Sequence, residues 1–350
     1  MSVFNRYLAT SILSGIGLAL CVLISLDFFF TIVNEADDVG RQNYGWLQAL
    51  GYLLLLLPGR SIEFFPAAVL IGSLLSLGNL ASNNELVAIR AAGVSIGQIA
   101  WSVVRLGAVL MILLFVINEF VVPQTNKMAE QTKQQALGIA PSTLSSTWLR
   151  SGDYFIEVTQ QLGQNHYGGV RLFEVSREPA ITAIIDVDEL RYIDNQWQAT
   201  GVIHRQLQSD RIVISDQLNV DLDLSPRLLT VLNTDPETLS IIELQQYIDY
   251  LQLNRLDATL YKLTFWLKLA GPLTTLIMLL IALPFVFGFL RSINTGQLLL
   301  IGILLGLSFF IIIRISSYAG QIYGLNPLVS AFAPLIVFLA LSLWGLRRVR

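Results

Sequence analysis

Six stretches of this chain are too long and too apolar for the core of a water-soluble domain, and they constrain its fold more than any other feature. Bridging the hydrocarbon of a bilayer takes about 20 helical residues. Segments 8–33, 64–81, 94–118, 269–290, 295–313 and 328–346 approach or exceed that length with at most one charged side chain each. Segment 46–57 is apolar but short. The Pro58-Gly59-Arg60 sequence behind it predicts a break, so an interfacial helix leading into the second span is expected there. The chain is 54% hydrophobic and only 13% charged, and most of its charges fall between Pro123 and Lys262. The expectation is a membrane α-helical bundle of six transmembrane helices, three plus three, with a water-soluble domain inserted between the halves.

The inserted region reads as strands. Segments 154–158, 170–175, 181–185, 189–193, 196–203, 211–214 and 218–224 are short and rich in β-branched and aromatic residues. Leu218-Asn219-Val220-Asp221-Leu222-Asp223-Leu224 alternates strictly, and Asp194-Asn195 suits a hairpin turn. An all-β sandwich, jellyroll or open barrel is expected. Ser240 and Glu243 match a capping box, and Ile241, Leu244, Ile248 and Leu251 then mark one apolar helix face. The expected domains are 1–122, 123–258 and 259–350. With both termini cytoplasmic, the inner segments hold Arg6, Arg90, Arg291, Arg347, Arg348 and Arg350, whereas the first outer loop sets Arg41 against Glu35, Asp37 and Asp38. The positive-inside rule therefore puts the β domain outside the cytoplasm.

Several chemistries lack their residues. A net charge of −3 argues against nucleic-acid binding. Cys21 is the sole cysteine, so no intramolecular disulfide forms. Segment 8–33 is too long for a signal-peptide core and ends in no small-residue cleavage site, so an uncleaved N-terminus is expected. No G-x-x-x-x-G-K-[ST] loop and no H-E-x-x-H occur. His166 and His204 read as ordinary surface or edge histidines, and Ser142, Ser145 and Ser146 lack a G-x-S-x-G setting. No catalytic residue, metal site or bound cofactor is expected.

Charges inside apolar spans are more informative, because each is expensive in hydrocarbon. Arg105 and Lys268 sit near span ends, where long side chains snorkel to the headgroups. Asp27 and Arg314 are expected to face the bundle and pair or touch a polar substrate group. The inner loop around 83–93 predicts a short helix with Asn84 as cap, Glu85 in its first turn, Arg90 in its last and Gly93 as its stop. Leu86, Ile89 and Arg90 are expected to share a face. That helix is either a membrane-surface element or a peg for a cytoplasmic motor.

Leu80-Ala81, Glu85-Leu86 and Arg90-Ala91-Ala92-Gly93 resemble the coupling helix of the lipopolysaccharide-export permeases, the LptF/LptG family. Arg6-Tyr7, Phe64-Phe65-Pro66, Glu119-x-x-x-Pro123, Leu239-Ser240-Ile241, Tyr247-x-x-Tyr250-Leu251 and Phe285-x-Phe287-Gly288-x-Leu290-Arg291-Ser292 extend the likeness, which is nearer the LptG branch than LptF. The resemblance implies an inner-membrane permease of an ATP-binding-cassette exporter in Gram-negative bacteria. It implies an LptF-like partner, two copies of an LptB-like cytoplasmic ATPase that uses the ATP, and an LptC-like subunit. Lipopolysaccharide would leave the outer leaflet and pass to a periplasmic β-jellyroll, with Ile156 and Leu172 inside it. Glu85, Leu86, Ile89 and Arg90 would couple to the ATPase. The outer end of span one departs from the family's basic pattern, reading Thr31, Asn34, Asp37 and Asp38. Arg60, Lys133, Lys262 and Arg314 are the candidate replacements for meeting lipid phosphates, with divalent cations bridging carboxylate to phosphate as another route. A permease for another envelope lipid or lipoprotein, the paralogous LptF role, and a non-transporting envelope scaffold remain the alternatives.

Overall fold

The computed structural model describes residues 3–138, 147–163, 165–175, 180–193, 196–207, 211–220, 222, 224, 235–289 and 295–348. Ser142, Ser145, Ser146, Asp194-Asn195, Asp221, Asp223, Leu290-Arg291-Ser292 and Arg350 lie outside these residues. The chain forms two compact units: Met1–Val39 with Gly45–Glu130 and Thr259–Arg350, and Gly40–Tyr44 with Gln131–Ala258.

The first unit holds helices α1 (Val3–Glu35), α2 (Trp46–Ser82), α3 (Glu85–Ala91), α4 (Ile96–Val116), α7 (Thr259–Pro284), α8 (Thr295–Ile322) and α9 (Pro327–Arg348). A π turn, Ile117–Val121, joins α4 to α5 (Val122–Ala136), and a second, Phe285–Phe289, follows α7. Six of these helical stretches are long and apolar enough to cross a membrane. The six-span expectation holds, with two corrections.

The break at Pro58 does not exist. Trp46–Ser82 is one helix with Pro58 and Pro66 inside it. A proline forfeits one hydrogen bond, at about 3 kcal/mol. A break there would leave further backbone groups unbonded and cost more than the one missing donor. The third span also runs past residue 118 to Ala136. Pro123 would clash with the Glu119 carbonyl in an ordinary helix. The π turn just before it widens the backbone, and Val122 N–H donates to the Ile117 carbonyl.

Apolar side chains from α1 (Leu8, Ile12), α2 (Leu70, Leu74), α4 (Ile99, Val103), α7 (Leu279, Leu283), α8 (Phe309) and α9 (Phe338) make one core. A close backbone approach joins α1 to α2. Ser76 Oγ donates to the Ser11 carbonyl at 2.8 Å. A Cβ on Gly72 would sit 2.5 Å from Gly15 and Ile16 backbone atoms, so only glycine fits there. Small residues at such crossings allow the backbone contact that holds membrane helices together without a hydrophobic drive. Leu18, Phe29, Phe30 and Ile315 point outward and are more than half exposed, as lipid- or partner-facing residues should be.

The second unit holds a six-stranded antiparallel sheet ordered β1-β2-β3-β4-β5-β6. Its strands are Thr147–Ser151, Tyr154–Gly163, His166–Val175, Ile181–Ile193, Gln196–Gln206 and Arg211–Val220. The inserted β domain is as expected, but the strand list changes. Segments 181–185 and 189–193 are one strand, β4, because Asp186 and Asp188 do not break it. Asp186 faces outward and pairs with Arg171 at 2.8 Å and Arg205 at 3.4 Å. Segment 211–214 likewise joins the start of 218–224 in β6, whereas β1, with only Trp148 and Leu149 among polar residues, carries little strand signal in the sequence.

Register explains the burial. Leu149, Ile156, Leu172 and Ile185 are cross-strand neighbours, as are Val158, Val170, Val187 and Val202, and all eight are buried. Leu172→Ala should lower the unit's stability by about 2–5 kcal/mol, read as an earlier unfolding transition. Helix α6 (Ile241–Leu253) carries the expected capping box: Glu243 N–H donates to Ser240 Oγ and Ser240 N–H to the Glu243 carboxylate. Its Leu244, Ile248 and Leu251 are buried, and Tyr250 Oη donates to the Arg150 carbonyl at 2.8 Å.

Candidate functional site

Four charged side chains from three membrane helices form a chain of ion pairs in the first unit. Arg60 on α2 lies 3.6 Å from Asp27 on α1. Arg60 also donates to Glu63 Oε2 at 3.2 Å. The other oxygen of Glu63, Oε1, lies 3.9 Å from Arg314 on α8. The cluster holds two cations and two anions, so its formal charge is zero. Counted from the helix ends shared with the N-terminus, Glu63 and Arg314 lie about 28 Å along their helices and Asp27 about 36 Å. Hydrocarbon is about 30 Å thick, which puts the cluster at its far boundary. Single exposed ion pairs are worth little, and at this depth a long side chain can also reach toward the headgroups. The pairing leaves the cluster without net charge where it borders the hydrocarbon.

The structure thus brings Asp27, Arg60 and Arg314 together through Glu63. Sequence reading missed Glu63 because the second span was expected to begin at residue 64. Its i,i+3 spacing to Arg60 was the available signal. Arg314 also lies 5.3 Å from the Phe310 ring. Thr31 spends its hydroxyl on the Asp27 carbonyl at 2.8 Å, and Asn34 is exposed near the end of α1. Lys262 is half-buried on α7. Lys133 belongs to the second unit, where its ammonium sits 5.8 Å from the Tyr44 ring. Arg105 lies over Trp101 at 5.4 Å, an exposed position fit for snorkelling. Lys268 does not snorkel. It is 8% exposed on the central helix α7 and engaged inside the bundle.

The second site is the loop helix α3. Asn84 does not cap it by side chain. Its φ of 60° turns the chain out of α2, and asparagine tolerates that left-handed conformation. Gly93, at φ 92°, ends the segment as expected, its N–H donating to the Arg90 carbonyl. Leu86 is buried in the bundle core and Ile89 packs against it. The face expected to hold Leu86, Ile89 and Arg90 together is therefore divided. Leu86 and Ile89 anchor the helix, whereas Val87, Ala88 and Arg90 are exposed. Tyr7 Oη donates to Glu85 Oε2 at 2.6 Å, tying the loop carboxylate to α1. That contact joins two motifs, Arg6-Tyr7 and Glu85-Leu86, that sequence alone kept apart.

In the second unit Ile156 and Leu172 are cross-strand neighbours, 1% and 0% exposed. On the same face Tyr167 Oη and His204 Nε2 are buried without a hydrogen-bond partner among the described residues. Burial pushes the Tyr167 phenol up to about 12. His166 accompanies Arg191 beside Glu189, and these two, Arg191 foremost, hold the Glu189 carboxyl below its ordinary range.

Six apolar spans, a charge network among them and an antiparallel sheet inserted in the chain define a multi-pass membrane protein. The family described as lipopolysaccharide export system permease LptF/LptG matches residues 6–348. The chain belongs to that family and is a transport permease, not itself an enzyme. It is 31% identical to the lipopolysaccharide export system permease protein LptG of Escherichia coli K12, over 99% of this chain and 98% of that protein. It is 29% identical to the LptG of Haemophilus influenzae, over 100% of this chain and 99% of that protein.

Proposed function

We propose that the chain is the LptG-type permease subunit of an ATP-binding-cassette exporter that extracts lipopolysaccharide from the inner membrane. It pairs with an LptF-like permease, binds two copies of an LptB-like ATPase and hands lipid, with an LptC-like subunit, to a periplasmic bridge. It holds no nucleotide itself. The observation that carries this reading is the full-length likeness to LptG proteins, joined to a loop helix that is anchored at Leu86 and offers Arg90 outward.

In this reading both termini and α3 are cytoplasmic and the β domain is periplasmic. Glu85 and Arg90 engage the ATPase, with Leu86 and Ile89 transmitting the push to α2 and α4. Arg60, Arg314, Lys262 and Lys133 supply positive charge to lipid phosphates, and Asp27, Thr31 and Asn34 line the same end of the spans. The sheet face with Ile156 and Leu172 receives acyl chains. An affinity-tagged chain should therefore bring down a second permease and an ATPase from membranes, whereas a chain that purifies alone contradicts the reading. Tyr7→Phe should leave assembly intact and slow ATP-driven lipid release by about tenfold or more, the worth of one hydrogen bond to a charged group. Unchanged release would remove Tyr7 from the coupling path.

A further inference from the structure

We propose that Glu63 is a built-in stand-in for a phosphate: its carboxylate occupies Arg60 and Arg314 when the site is empty, and a lipid-borne phosphate monoester exchanges for it. This rests on the reading above that the spans handle a phosphorylated lipid, and it adds how the empty site stays neutral and how the ligand leaves.

The geometry favours exchange over a permanent bond. Glu63 gives one oxygen to each arginine, at 3.2 Å and 3.9 Å. The second distance exceeds a hydrogen bond, as does the 3.6 Å from Arg60 to Asp27. Each guanidinium carries five N–H donors in a planar fork that suits carboxylate and phosphate alike. Among the described contacts only one hydrogen bond is made from the two forks to these carboxylates. All four side chains keep part of their surface open, from 20% for Asp27 to 45% for Arg314, so a ligand can reach them.

Charge balance gives Glu63 its task. With Glu63 in place two cations meet two anions. Without it, and without ligand, Arg60 and Arg314 would face Asp27 alone, a net positive charge lacking its counter-ion. A phosphate monoester carries close to two negative charges at neutral pH. It outcompetes one carboxylate for the paired forks and is in turn displaced when Glu63 swings back. Glu63 thus weakens resting affinity and speeds departure. An ordinary i,i+3 pair on one helix would do neither; the reach to Arg314 on a different helix separates this residue from such a pair.

The test uses the full chain assembled with its partner permease and ATPase in nanodiscs of phosphatidylethanolamine and phosphatidylglycerol. Binding of lipopolysaccharide is compared with binding of enzymatically dephosphorylated lipopolysaccharide, with inorganic phosphate as competitor and no ATP present. Glu63→Gln should bind the phosphorylated lipid about fivefold more tightly, the worth of one partly exposed charge contact. It should show no gain for the dephosphorylated lipid and should slow ATP-driven release. Arg60→Gln combined with Glu63→Gln should erase the gain.

Equal binding by wild type and Glu63→Gln overturns the proposal, as does the same gain for both lipids. Competition by inorganic phosphate at concentrations matching the lipid also overturns it, because the site would then serve free phosphate. The release arm judges the parent reading separately. A wild-type complex that releases no lipopolysaccharide with ATP overturns that reading, whereas the ATP-free binding comparison still decides the role of Glu63.

Discussion

Glu85→Arg is expected to leave the chain folded and membrane-inserted but to strip it of its ATPase. Glu85 opens α3, the short helix between α2 and α4, and is held at its place by the Tyr7 hydroxyl. Arginine reverses the charge at a helix N-terminus, where an acid is favoured. It also removes the acceptor for Tyr7 and sets a cation beside the exposed Arg90. A cationic partner surface that suits Glu85 would be repelled. Like charges juxtaposed across an interface cost several kcal/mol, so ATPase capture should fall by about a hundredfold or more. Folding of the chain is independent of this contact, since Leu86 and Ile89 still anchor α3 to the core. Quantitative co-purification checks the prediction: full ATPase recovery with Glu85→Arg would remove Glu85 from the interface.

The second large effect lies where no ligand or partner is involved. Gly72→Leu should prevent α1 from docking on α2. Even the first carbon of a side chain at Gly72 meets backbone atoms of Gly15 and Ile16 at 2.5 Å, and backbone cannot rotate away. The helices must separate, breaking the Ser76–Ser11 hydrogen bond and loosening the packing of Ile12, Ile16 and Leu74. Overpacking alone costs about 1–3 kcal/mol, and the lost contacts add to it. Thermal denaturation in detergent should show a transition lowered by many degrees and a poor yield. By contrast, Gly17→Leu should be neutral, because a Cβ there meets nothing within 4 Å. Similar behaviour of the two variants would contradict the close crossing.

The six spans were legible because a bilayer writes length and apolarity into a sequence in blocks. Their ends were less legible. Proline at position 58 reads as a break, yet α2 runs through it, giving up one donor rather than the several backbone bonds that a break would cost. The π turn at Ile117–Val121 left no local sign beyond Pro123. In the sheet, Asp186 and Asp188 looked like a gap between two strands, and only the partners Arg171 and Arg205 explain why β4 carries charge in its middle. Ile156 and Leu172 are buried cross-strand neighbours; strand period tells which residues share a face, but not which face is covered. The ion network was half legible. Asp27 and Arg314 stood out as charges in apolar runs, whereas Glu63 and the Tyr7–Glu85 contact depend on which helices neighbour one another, and spacing along one chain does not encode that.

The most direct test of the account places a photoreactive amino acid at Arg314 and, separately, at Ile156 in the complete complex reconstituted with lipopolysaccharide. Without ATP, crosslinks should form at position 314 and hardly at all at 156. With ATP they should appear at 156, and Glu85→Arg should abolish that appearance while sparing position 314. Lipopolysaccharide crosslinks at Ile156 that form equally with and without ATP, or none at either position, would contradict a permease that moves this lipid from its membrane helices to its β domain.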